Sequence, residues 1–150
     1  MKNHLFLLFF LIFTACGFKV VKNNETQNYN ITEIVTSGEK KINHLIKSKL
    51  LNLSKKDSIK RISININTKI NKDIKEKNIN NEITKYNISI TADGEFKNLS
   101  TQQITRFTVT KNGSYNVAVT NSSTRSNEKK LIVLLSETLI EEISNKINEM

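Results

Sequence analysis

The sequence predicts an α+β fold in which two helices pack on one face of a mainly antiparallel four-stranded sheet. Two stretches, at residues 42–53 and 131–147, repeat apolar residues at intervals of three and four, which is the period of an amphipathic helix. Three stretches between them alternate apolar and polar residues, which is the period of a half-buried strand. A short apolar segment before the first helix supplies the fourth strand. The length of 150 residues suits one such domain, placed at residues 29–150.

The first strand is predicted from Tyr29, Ile31 and the pair Ile34-Val35, where apolar residues follow a polar segment. The motif Thr36-Ser37-Gly38-Glu39 then resembles a capping box, with Thr36 accepting at the helix start and Glu39 reaching back. A helix is expected directly after this motif. Its apolar stripe consists of Ile42, Leu45, Ile46, Leu50 and Leu53.

The next three strands follow from the two-residue period. The apolar positions of the first are Ile62, Ile64, Ile66 and Ile70, and those of the second are Tyr86, Ile88, Ile90 and Ala92. The third runs through residues 106–110, is interrupted at Asn112-Gly113 and resumes with Tyr115, Val117 and Val119. Residues 71–81 are interpreted as a polar connection, and Asp93-Gly94 as a bend, because glycine favours turns and bulges.

The last helix has a long apolar face that needs a sheet to cover it. The face consists of Ile132, Leu135, Leu139, Ile143 and Ile147, widened by Leu131, Leu134 and Ile140. Both helices are therefore expected on the apolar side of the sheet, which leaves the other sheet face polar.

The N-terminus is typical of an exported lipoprotein. Lys2 precedes an apolar run at residues 5–13, which is shorter than the roughly 20 residues that a membrane-spanning helix requires. The motif Phe13-Thr14-Ala15-Cys16 that follows resembles a lipobox, and Cys16 is the only cysteine of the chain. We therefore expect a signal peptide at residues 1–15, covalent lipid on Cys16 and a lipidated tether at residues 16–28.

No pattern in the sequence indicates catalysis. His44 is the only histidine after the signal peptide, and no second ligand lies at metal-binding spacing from it. Nucleophile elbows and glycine-rich phosphate loops are also missing from the sequence. We therefore expect no enzyme, no metal and no cofactor other than the lipid on Cys16.

The formal net charge of +9 predicts attraction to phosphate groups, whichever molecule carries them. Nucleic-acid capture would require aromatic residues interleaved with Lys and Arg on an exposed sheet face. Tyr86 and Phe107 fall instead on the apolar alternation, which favours a place in the core. A nucleic-acid partner is therefore not expected.

Three features together resemble the lipopolysaccharide-assembly lipoprotein family LptE. They are the start Thr14-Ala15-Cys16-Gly17-Phe18, the order of strand, helix, three strands and helix, and the stretch Ser114-Tyr115-Asn116-Val117 before the last helix. The resemblance implies an outer-membrane lipoprotein, periplasm-facing or inside the lumen of the β-barrel partner LptD. It further implies a non-enzymatic role in delivering lipopolysaccharide to the cell surface.

Four basic residues are candidates for contact with lipopolysaccharide phosphates or with the barrel lining, because the alternation places them on the polar sheet face: Arg61, Lys69, Lys85 and Arg106. The competing interpretation is four solvated side chains without a specific partner. At the level of the whole protein, the alternative is a membrane-anchored periplasmic binding or structural lipoprotein with no barrel partner. Obligate co-purification with a barrel distinguishes these two functions.

Overall fold

The computed structural model describes residues 28–150. The predicted signal peptide, Cys16 and the predicted tether as far as residue 27 lie outside the described residues. The elements in chain order are β1 (Asn30–Gly38), α1 (Lys40–Leu53), β2 (Arg61–Lys77), β3 (Ile83–Asn98), β4 (Ile104–Asn116) and α2 (Asn121–Asn148). The α+β fold class is confirmed.

The four strands form one open sheet in the order β1-β2-β3-β4. β1 and β2 are parallel, because α1 carries the chain back across the sheet before β2 begins. The pairs β2-β3 and β3-β4 are antiparallel and are joined by short connections. The sheet is therefore mixed, with one parallel pair beside two antiparallel ones.

One cluster of buried side chains joins both helices to a single face of the sheet. The alternation predicted for β2 is confirmed, since Ile62, Ile64 and Ile66 are buried while Arg61 and Asn65 are exposed. The helices contribute their predicted stripes to the same cluster. Their buried apolar members are Ile42, Ile46 and Leu50 of α1, and Leu135, Leu139, Ile140, Ile143 and Ile147 of α2.

The capping box predicted at Thr36 is wrong. Thr36 lies within β1 opposite Ile66, and α1 begins at Lys40 after Glu39, whose side chain forms no cap hydrogen bond. Thr36 stays in the strand because the chain leaves the sheet only at Gly38. Gly38 has a φ of +91°, a left-handed conformation that favours glycine. A Cβ at Gly38 would lie 1.9 Å from the carbonyl oxygen of Thr68.

Buried polar groups join α1 to β2 in place of that cap. The Thr68 hydroxyl donates to Oδ1 of Asn43 at 2.8 Å, and the Asn43 amide donates to the Ser37 carbonyl at 3.0 Å. The Glu39 backbone N–H donates to Oγ1 of Thr68 at 3.0 Å. The start of the helix is therefore fixed by the neighbouring strand.

Residues 71–81 do not form the polar connection that the sequence predicted. β2 continues to Lys77 and pairs with β3, although residues 71–77 are exposed on both faces. Hydrogen bonds to the neighbouring strand need no apolar pattern, so this strand carries no two-residue signal. The turn is confined to residues 78–82, where Oδ1 of Asn78 accepts from the backbone N–H groups of Asn80 and Glu82.

The glycine turns predicted at Gly94 and Gly113 are also wrong, because both residues lie inside strands whose mutual register is uninterrupted. Each glycine makes room for a neighbour. A Cβ at Gly94 would lie 2.3 Å from the Asn65 carbonyl oxygen, and a Cβ at Gly113 would lie 2.9 Å from Cδ1 of Leu131. Close packing is therefore the reason for glycine at both positions.

Three apolar residues do not take the places predicted for them. β4 ends at Asn116, so Val117 and Val119 do not resume the strand, and both are exposed. Leu134 is 56% exposed on α2 and does not widen its buried face. Neither helix among residues 28–150 is long and apolar enough to cross a membrane.

Candidate interaction surface

The open face of the sheet is a broad polar surface formed by the alternate residues of all four strands. Its central positions are mostly Asn, Ser and Thr, which the pairing register places side by side. They hydrogen bond across strands, with Ser37 donating to Oδ1 of Asn67 at 3.0 Å and Thr91 bonded to Thr110 at 3.1 Å. The predicted polar face is confirmed.

Charges on this face are close to balance. The register places five cations there, Arg61, Lys69, Lys85, Lys97 and Arg106, and five carboxylates, Glu33, Asp73, Glu76, Asp93 and Glu95. The positive surplus of the chain is therefore not concentrated on the open face. The surface is suited to hydrogen bonding with a polar partner, with only a weak preference for either sign of charge.

All four candidate contact residues lie on the open face, but the structure does not bring them together. Arg61 and Lys69 are eight residues apart on β2, a separation of about 26 Å at the usual strand rise. Lys85 pairs with Glu76 at 2.8 Å, and Arg106 lies 3.8 Å from Glu95. Arg61 and Lys69 form no ion pair with any residue in 28–150, so these two retain free charges.

A shallow depression of about 590 Å³ lies in the middle of the open face. Its walls include Asn65, Asn67, Asp93 and Thr108, with Arg106 at one side. The Thr108 hydroxyl donates to Oδ1 of Asp93 at 2.7 Å, so that carboxylate already has a partner. The depression offers donors and acceptors and is lined by neither histidine nor cysteine.

The positive surplus lies elsewhere, on α1 and the loop that follows it. Residues 40–60 contain seven lysines and one carboxylate, Asp57, whereas the other described residues contain 13 cations and 12 carboxylates. The lysines are Lys40, Lys41, Lys47, Lys49, Lys55, Lys56 and Lys60. The net charge of the whole chain did not reveal this segment. A count of charged residues in short windows along the sequence would have found it.

A second charged cluster lies at the rim of the helix-covered face. Nζ of Lys72 is 2.9 Å from Glu128 and 4.4 Å from the centre of the Tyr86 ring, and the Tyr115 hydroxyl donates to Glu128 at 3.1 Å. The cluster ties β2 and β4 to the first half of α2. Tyr86 also packs against the core, and Phe107 stacks on Phe96 within the core. The interpretation of both aromatics as core residues is therefore confirmed.

The contacts of this cluster shift its pKa values. The hydrogen bond from Lys72 holds the pKa of the Glu128 carboxyl below its usual value, with burial opposing and Tyr115 assisting. Burial alone would lower the pKa of Lys72, but the hydrogen bonds and charges of Tyr115 and Glu128 outweigh burial and raise it. Lys72 and Glu128 therefore each favour the charged form of the other.

Residues 28–150 contain no group of three His, Cys, Asp or Glu side chains that could hold a metal ion. His44 is exposed on α1. The cluster at Glu128 brings lysine, tyrosine and carboxylate together, and its contacts join the strands to α2.

Comparison with known proteins identifies the fold. No protein-family model and no curated protein sequence matches the chain. Rare lipoprotein B from Shewanella oneidensis is similar in structure, with a TM-score of 0.53 and 13% identity over 78% of this chain and 91% of that one. A minor lipoprotein from Acinetobacter baumannii has a TM-score of 0.51 and 10% identity over 77% and 91% of the two chains.

A third similar structure is a candidate lipoprotein from Caulobacter crescentus CB15. Its TM-score is 0.53, with 8% identity over 81% of this chain and 88% of that one. These three proteins share the fold described above. At such low identities the likeness concerns the fold alone.

Proposed function

We propose that this protein is a lipid-anchored outer-membrane lipoprotein of the LptE type, which sits in the β-barrel LptD and assists transport of lipopolysaccharide to the cell surface. The observation that carries the proposal is the joint occurrence of two features. The chain has the fold of rare lipoprotein B, and its sequence presents Cys16 in a lipobox-like motif after an apolar export signal. In this proposal the lipid on Cys16 holds the domain at the membrane.

The chemistry of the open sheet face supports the proposed position of the domain inside a barrel. The lumen of an outer-membrane barrel is polar, so a protein that fills it needs a surface that hydrogen bonds without large apolar or single-sign patches. The open face has that chemistry, with Asn, Ser and Thr at its centre and nearly balanced charge. In this arrangement the open face meets the barrel wall and the helix-covered face stabilises the fold.

The candidate basic residues divide into two classes within this proposal. Arg61 and Lys69 retain free charges and are available to lipopolysaccharide phosphates or to acidic groups of the barrel, whereas Lys85 and Arg106 already have carboxylate partners. The role requires no catalysis and no cofactor beyond the lipid. The partners are LptD, lipopolysaccharide and the membrane, without nucleic acid.

The test is gentle detergent extraction of the full-length, affinity-tagged protein from its own membranes, followed by mass spectrometry of what remains bound. A Cys16→Ser variant is the matched control, since the sulfur that accepts the lipid is the only cysteine sulfur in the chain. We expect a large β-barrel in near-equal amount with the original protein and much less with the variant. A lipidated protein recovered alone would support instead a membrane-anchored periplasmic lipoprotein without a barrel partner.

A further inference from the structure

The solvent side of α1 carries lysines, and the helix contains no carboxylate. Lys40, His44, Lys47 and Leu51 follow one another at spacings of four, three and four, so they lie on one side of the helix. This side is opposite to the buried residues of α1, which include Ile42, Ile46 and Leu50. Lys40, His44 and Leu51 are exposed and Lys47 is half-buried, so this side of the helix faces solvent.

The lysines between positions 40 and 56, on α1 and at the start of the following loop, form no ion pairs within the described chain. Four ion pairs occur among residues 28–150, and none involves a lysine between positions 40 and 56. Lys60 differs, because its Nζ donates to the Ile147 carbonyl at 3.0 Å and so serves the end of α2. The charges of Lys40, Lys47 and Lys55 are therefore free for an external anion.

Exposed apolar side chains lie among these lysines. Leu51 is 50% exposed at the last turn of α1, and Ile59 is 91% exposed in the loop after it. Lys55 and Lys56 stand between them in sequence. Lysines interspersed with exposed apolar side chains are typical of protein surfaces that lie on anionic lipid headgroups, where apolar groups enter the interface and ammonium groups meet phosphates.

The same surface lies beside the start of the described chain. The Lys55 backbone N–H donates to the Tyr29 carbonyl at 2.9 Å, and the Ser58 hydroxyl donates to the Asn28 carbonyl at 2.6 Å. Asn28 is twelve positions after Cys16, so the distance between them cannot exceed about 43 Å even in a fully extended chain. A lipid on Cys16 would thus keep this surface within reach of the membrane.

The geometry points to α1 and the loop at residues 54–59 as a docking surface for the anionic phospholipid headgroups of the membrane that holds the anchor. This inference rests on the lipid anchor of the proposed function, but not on the barrel. The lipid chains supply the primary attachment, and the lysines supply a second, electrostatic one that orients the domain. The buried residues of α1 pack on the sheet, so the fold fixes the position of these lysines.

The test measures where the domain touches the membrane. Because Cys16 is the only cysteine and its thiol is blocked by lipid, one added cysteine can carry an environment-sensitive fluorophore. Leu51→Cys probes the docking surface, and Ile79→Cys probes the exposed β2-β3 turn as a control. Both lipidated proteins are reconstituted into vesicles of phosphatidylcholine alone or with 30% phosphatidylglycerol, and quenching by spin-labelled lipid is recorded.

We expect strong quenching at position 51 in the anionic vesicles, weak quenching there in neutral vesicles, and none above background at position 79. Replacing Lys40, Lys41, Lys47 and Lys55 together by Gln should lower the quenching at position 51 at least several-fold. The matched control replaces four other lysines, Lys77, Lys97, Lys129 and Lys130, by Gln and should leave the quenching unchanged.

Equal quenching in neutral and anionic vesicles, or no quenching at position 51, would overturn the inference. Equal losses with the two sets of Gln replacements would overturn it as well, because net charge rather than this surface would then be responsible. Intact mass spectrometry reports lipid on Cys16 separately. A missing lipid would therefore identify failure of the proposed anchor, and a lipidated protein without quenching would identify failure of the docking surface alone.

Discussion

The two faces of the sheet are built from the same strands and differ in almost every other respect. On β2, Ile64 is buried beneath the helices, while its neighbour Asn65 is exposed on the open face. The helix-covered face is continuous apolar packing with a few enclosed hydrogen bonds, whereas the open face is a polar network in contact with water. The comparison indicates that one face determines the stability of the fold and the other is available for a partner.

The largest expected difference comes from introducing one carboxylate on each face. Ile64→Asp places an unpaired charge in the core and should cost at least about 4 kcal/mol, a large part of the stability of a typical domain. Asn65→Asp should change the free energy of unfolding by only about 0.5 kcal/mol. Urea denaturation followed by circular dichroism measures both. Equal effects would mean that the two faces are not energetically distinct.

A smaller difference is expected from two threonines of these faces. Thr68→Val removes the hydroxyl that donates to Asn43 in a buried setting, and should cost about 1 to 3 kcal/mol because the amide oxygen loses its partner. Thr110→Val on the open face should cost less than about 0.5 kcal/mol, since water replaces the contact with Thr91. Thermal unfolding of both variants measures the two losses of stability. A loss for Thr110→Val as large as that for Thr68→Val would contradict the comparison of the two faces.

The ion pair at the rim of the helix-covered face should stabilise the fold in a pH-dependent way. Because Lys72 lowers the pKa of folded Glu128 below its ordinary value of 4.5, the pair stabilises the fold above about pH 4.5 and loses its effect as the pH falls through the folded-state pKa. Glu128→Gln should therefore cost about 1 kcal/mol or less at pH 7, since both side chains remain partly solvated. The cost should vanish at low pH in urea titrations, and a cost independent of pH would contradict this assignment.

The smallest effect is expected for the pair on the open face. Glu95 and Arg106 are 3.8 Å apart, and the Arg106 side chain is almost fully exposed. Glu95→Gln should leave the midpoint of urea denaturation unchanged within error at any pH, because exposed ion pairs contribute little. A loss comparable to that of Glu128→Gln would show that the open face also stabilises the fold.

The sequence predicted those features in which burial leaves a periodic pattern. The alternation on β2 and the stripes of both helices predicted the order of the elements and the polar face correctly. Features set by contacts between distant residues were missed. Gly94 and Gly113 looked like turn residues because nothing local reveals that Asn65 and Leu131 crowd them, and Thr36 looked like a helix cap because its pairing with Ile66 spans thirty residues.

The candidate contact residues show the same limit. Alternation placed Arg61, Lys69, Lys85 and Arg106 on one face, but it could not show their separation or that two of them have carboxylate partners. The basic surface of α1 and the loop after it could have been found from the sequence, because its seven lysines all lie within residues 40–60. Periodicity therefore predicts which face a residue occupies, and only the fold reveals its neighbours.

The central claim is that the open sheet face meets the partner. It is tested most directly by placing a photo-crosslinking amino acid at Asn65 or Thr110 on that face, and at Val133 on the solvent side of α2, in cells that make the lipoprotein. We predict a covalent product with a large outer-membrane β-barrel from the two open-face positions and none from Val133. A barrel product from Val133 alone would contradict the claim and would assign the partner surface to the helices.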